Sequence, residues 1–105
     1  MAWLLLFAAG VVEILMALAL KYSEGWTRPW PSALGIAAAL LSIFLLTLAL
    51  KQLPAGTAYA IWTGIGSVGI TILGIVLFNE SVSVLRLVFI GLIVAGTMGL
   101  KLLDV

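Results

Sequence analysis

Four long apolar runs, each closed by a short polar or turn-forming cluster, set the pattern of the chain. The first, over about 3–21, carries a single charge from Trp3 to Leu20, Glu13, and ends at Lys21-Tyr22-Ser23-Glu24-Gly25. Trp26-Thr27-Arg28-Pro29-Trp30-Pro31 follows, and its two prolines, two tryptophans and arginine predict an interfacial loop anchored at headgroup level, with Ser32 as the N-cap of the next helix. The second run, 32–50, holds no charge before Lys51-Gln52. Its linker to the third, Leu53-Pro54-Ala55-Gly56, is short enough to make the two runs antiparallel neighbours. The third, 57–78, is the most polar of the four, with Tyr59, Trp62, Thr63, Ser67 and Thr71 among the glycines Gly64, Gly66, Gly69 and Gly74. After Asn79-Glu80-Ser81 the fourth run occupies 84–103. About 20 apolar residues suffice to cross a hydrocarbon core, so each run reads as one crossing. The expected fold is all-α: a single transmembrane domain of four helices over 1–105.

Composition narrows the class. Of 105 residues, 65% are hydrophobic and 9% charged, against roughly 25% charged in an ordinary soluble domain. A net charge of +1 without any basic run offers nothing to nucleic acid. Cys and His are both absent, which removes disulfides, thiolate sites and the commonest metal ligands. No metal, cofactor or enzymatic chemistry is expected. The first apolar run lacks a basic leader and holds Glu13 at its centre, so it is expected to remain as a span rather than act as a signal peptide.

Alternating spans put Lys21, Arg28 and Arg86 on one side of the membrane and Lys51 and Lys101 on the other. Three against two gives the positive-inside rule little to act on. Either a weak bias fixes one topology, or copies insert both ways and pair as an antiparallel dimer.

Glu13 is the main candidate for chemistry. A carboxylate at mid-span costs about 3 kcal/mol on insertion scales and persists where it has a partner or a use. No lysine or arginine lies at comparable depth, so a cation from outside is its natural partner, exchanged against a proton. The plainer alternative is a protonated acid bonded between helices. Gly10, Met16 and Ala17 share its helical face, with Ala9 one turn earlier, and these small residues are expected to leave a cavity beside it. On the third span Tyr59, Trp62, Thr63 and Gly66 share a face that offers a phenolic donor and aromatic faces for a cation. The competing assignment for Tyr59 and Trp62 is an interfacial aromatic belt. Ser42, central in the second span, is expected to bond either Glu13 or its own helix one turn back. Glycines as dense as Gly64, Gly66, Gly69 and Gly74 either let another helix approach closely or permit a bend, and a kink is expected near Gly64 to Gly66. Gly91, Ala95 and Gly99, with Gly96 beside them, form a small-residue face for intrachain packing or a dimer seam. Four helices can hardly enclose a path, which favours a dimer. Lys101 and Asp104 are expected as interfacial anchors.

These residues resemble the small multidrug resistance transporters along the whole chain. The resemblance rests on Glu13, Lys21-Tyr22-Ser23-Glu24-Gly25-Trp26-Thr27-Arg28 with Pro31-Ser32, the long stretch Leu53-Pro54-Ala55-Gly56-Thr57-Ala58-Tyr59-Ala60-Ile61-Trp62-Thr63-Gly64-Ile65-Gly66, and Leu92-Ile93-Val94-Ala95-Gly96. Thr63-Gly64-Ile65-Gly66, Gly10, Ser42 and Gly99-Leu100-Lys101 point to the guanidinium-exporting subtype. The resemblance implies an antiparallel, dual-topology homodimer in the inner cell membrane, whose two Glu13 carboxylates bind protons or substrate in exchange. Cation export would be driven by the inward proton gradient through alternating access. It also implies that Gly10, Met16, Ser42, Tyr59, Trp62 and Thr63 line the pocket, that Gly64 and Gly66 form the bend, and that the fourth span forms the seam. Met16 departs from the subtype, which usually has tryptophan there. A flexible thioether without a donor implies a looser pocket, as does small Ala39, and substrates wider than guanidinium, extending to hydrophobic quaternary ammonium ions. The reading from another class is a structural membrane subunit that transports nothing.

Overall fold

A computed structural model describes residues 1–103. Four helices succeed one another: α1 Ala2–Tyr22, α2 Pro29–Leu50, α3 Ala55–Phe78 and α4 Val84–Leu103. All four are long and apolar enough to cross a membrane, and no strand occurs among the described residues. Asp104, one of the two expected anchors, lies outside them.

Residues Glu24, Gly25 and Trp26 turn the chain with positive φ angles of 49°, 72° and 72°. Buried Ser23 holds this turn, its Oγ donating to the Leu20 carbonyl at 2.7 Å and accepting from the Trp26 N–H at 3.3 Å. Trp26 and Trp30 are exposed, as residues at headgroup level are. Ser32 is not the N-cap expected of it. The helix starts earlier, because Pro29 has no N–H to lose in a first turn and its φ is already helical. Arg28, held extended by the proline that follows, takes the cap position, and the Ser32 hydroxyl donates back to its carbonyl at 2.7 Å.

α1 lies against both α2 and α3, whereas α4 packs its backbone along α3 and reaches α1 through Lys101 at its end. The core is a cluster of Leu6, Ala9, Leu46, Ala49, Ala58 and Ile61. Three of these six are alanines, which let helix backbones approach closely where lipid supplies no hydrophobic drive to associate. α4 has no buried residue and shows its apolar side chains on nearly every side. The molecule is a slab of 41 × 35 × 16 Å, little thicker than one helix with its side chains, about 10–12 Å.

Two contacts register the helix ends. The Lys21 ammonium sits 5.5 Å from the Phe78 ring centre at one end, and the Lys101 ammonium 5.5 Å from the Trp3 ring at the other. At the first end Glu80 packs against Gly74 and pairs with Arg86 at 3.0 Å, and the Ser83 hydroxyl accepts from the Arg86 N–H at 3.1 Å. Lys21, Thr71, Glu80 and Arg86 thereby share a cleft of about 240 Å³.

Candidate functional site

Glu13 stands midway along α1, partly buried, at the contact with α3. Its carboxylate packs directly onto Gly66, in the volume a side chain there would take: a Cβ on Gly66 would lie 2.6 Å from Glu13 Cδ and 3.1 Å from Cγ. Among the described residues the ion pairs are Glu24 with Arg28 at 3.2 Å and Glu80 with Arg86, both at helix ends, and Glu13 has no ionic or hydrogen-bonding partner.

The space expected beside Glu13 at Gly10 is filled. A Cβ on Gly10 would stand 2.6 Å from Ile65 Cγ2, so this glycine serves close approach of α3 rather than a cavity. Met16 and Ala17 are partly buried and Ala9 fully so.

Ser42 makes neither of the two bonds expected of it. Completely buried, it donates across to the Ala9 carbonyl of α1 at 2.7 Å and accepts the Trp62 indole N–H at 2.8 Å. The α2 rotation that puts Ser42 in the core points it at the α1 backbone rather than at the carboxylate one turn on. Trp62 is drawn inward by this bond, and Tyr59 meets it edge-on with ring centres 5.4 Å apart. Tyr59 itself is 60% exposed and borders an apolar cleft of about 450 Å³ between α2 and α3, lined by Leu46, Leu50, Ala55, Gly56 and Ala60. Thr63 is exposed.

The two glycines expected at a bend face different neighbours within an unbroken α3. Gly64 is buried against Thr97 and Ile93 of α4, while Gly66 holds Glu13. Gly91, Gly96 and Gly99 meet nothing within 4 Å, and Ala95 is exposed, so the small-residue face of α4 takes no part in packing within the chain. Ile65, Thr97 and the Ala9 carbonyl also shape the site's surroundings without having been singled out, and Gly69, named only among the glycines of the third run, receives Ile14.

Four apolar helices, with a mid-span carboxylate held between α1 and α3, define a multi-pass membrane protein. Residues 1–93 match the family described as Small Multidrug Resistance protein, and the chain belongs to that family. Similar proteins include one named Guanidinium exporter from Yersinia pseudotuberculosis serotype I, 56% identical over 102 residues that cover 97% of this chain and 98% of that protein. Proteins of the same name from Proteus vulgaris and Salmonella typhimurium are 53% and 54% identical, with at least 97% of each chain covered.

Proposed function

We propose that the chain is a proton-coupled antiporter of the inner cell membrane that exports guanidinium and substituted guanidinium compounds. The observation that carries this reading is Glu13, a carboxylate between α1 and α3 with no countercharge of its own. Such a group stays in the membrane interior at low cost only when neutralised. A proton and an organic cation each neutralise it, and when one cation binds between the two Glu13 carboxylates of a dimer it displaces a proton from each, so two protons exchange for one cation and every cycle moves net charge. The family and the shared name of its relatives supply the cation's class.

Alternating access moves the loaded carboxylate between the two sides. In this reading α3 bends at Gly64 and Gly66, and Ser42, Trp62, Tyr59, Gly10, Met16 and Thr63 shape the surroundings of Glu13. The working unit is an antiparallel, dual-topology homodimer. Three features support it: the three-to-two balance of basic residues between the ends, a slab too thin to enclose a path, and the unused face of Gly91, Ala95, Gly96 and Gly99.

The apolar cleft beside Tyr59 has room for a substituent on the guanidinium group, and Met16 lets the pocket adapt. Hydrophobic quaternary ammonium ions are the second reading on that ground. In liposomes bearing the purified protein, a guanidinium gradient is expected to drive protons the opposite way with a reversal potential set by both gradients. Guanidinium flux unaffected by pH on either side would contradict the exchange, and faster transport of a bulky quaternary ammonium ion would favour the second reading.

A further inference from the structure

Among the contacts between α1 and α3 are three in neighbouring turns, each made by a glycine. Gly10 of α1 receives Ile65 of α3; Gly66 and Gly69 of α3 receive Glu13 and Ile14 of α1. Gly66 and Gly69 are three residues apart and so lie on one helix face. Glu13 fills the place of a Gly66 side chain with Cγ, Cδ and Oε1 alike, so no swing of the carboxylate tip alone would make room there. Gly64 looks the other way, toward Thr97, whose hydroxyl end can turn aside.

We propose that Gly66 is a positioning residue for Glu13. Its missing side chain is the seat of the carboxylate, and Gly69 fixes the register of α1 that delivers Glu13 to that seat by receiving Ile14. The inference rests on reading Glu13 as the exchanging carboxylate, and it gives Gly66 a task separate from bending. A glycine needed only for a bend is indifferent to the length of the side chain at position 13. A glycine that seats a carboxylate is not, because a methyl group at position 66 displaces glutamate, whereas aspartate carries only its carboxyl carbon to the Cγ place, 3.1 Å from such a methyl, and can turn its two oxygens past it, so its clash is smaller.

The test is a cycle of Gly66→Ala, Glu13→Asp and the double variant in liposomes, reading KM and kcat for guanidinium together with folding in detergent. Gly66→Ala in the native background is expected to raise KM about tenfold or more, as an intruding methyl in a packed contact does. In the Glu13→Asp background the same change is expected to raise KM about threefold or less. Gly64→Ala is expected to cost the same in both backgrounds. An unchanged KM in Gly66→Ala, an equal cost in both backgrounds, or a double variant that is unfolded or no better than the single one overturns the proposal. Full transport by Glu13→Gln would instead remove the exporter reading of Glu13, an outcome read independently of the cycle.

Discussion

Ser42 carries more of the site's geometry than its size suggests. One hydroxyl joins three helices, donating to the Ala9 carbonyl of α1 from its place on α2 and accepting the indole N–H of Trp62 on α3. Replacing it with alanine leaves the Trp62 donor without its acceptor in a site that water reaches poorly. A loss of about 1–3 kcal/mol is the usual cost of such an orphaned group. Ser42→Ala is therefore expected to lower the thermal midpoint in detergent and to shift the tryptophan emission; a variant with native stability would show that water replaces the hydroxyl. The bond was not legible in the sequence. Helical phase brings Ser42 to the inner face of α2, but it does not say which of several polar groups on the opposing helices lies at bonding distance. The same ambiguity covers Gly66, because the spacing of glycines along α3 is visible and the rotation of each toward α1 or α4 is not.

At the scale of the helices, the all-α, four-helix organisation was legible, because a run of about 20 apolar residues has no other stable form in a bilayer. Where rules competed at the ends, the outcome needed the structure. Ser32 obeys a capping rule and Pro29 a first-turn rule, and the proline prevails because it lies further forward and already has a helical φ. α4 is the element least held by its own chain, with Thr97 and Ile93 against Gly64, the Glu80 pair with Arg86 and Lys101 over the Trp3 ring among its fastenings. Its small-residue face meets no neighbour in the protomer. Gly96→Leu is accordingly expected to leave the helical content and the fold of the protomer unchanged while lowering the dimer fraction seen by crosslinking in membranes. Loss of helical structure, or a dimer fraction equal to that of the native protein, would show that this face is not the seam.

At the scale of the molecule, the proposed function makes a slab with one partly buried carboxylate half of a transport path, with a second copy to supply the rest of its wall. The composition that makes this so is plain in the chain: charge is confined to helix ends except at Glu13. That exception organises everything proposed above, from the glycine seat on α3 to the exchange of a proton for a cation. Currents evoked by guanidinium on a supported membrane of proteoliposomes, native protein against Glu13→Gln, test it most directly. The account predicts robust currents from the native protein and none from a folded Glu13→Gln variant, and currents of native size in that variant would contradict it.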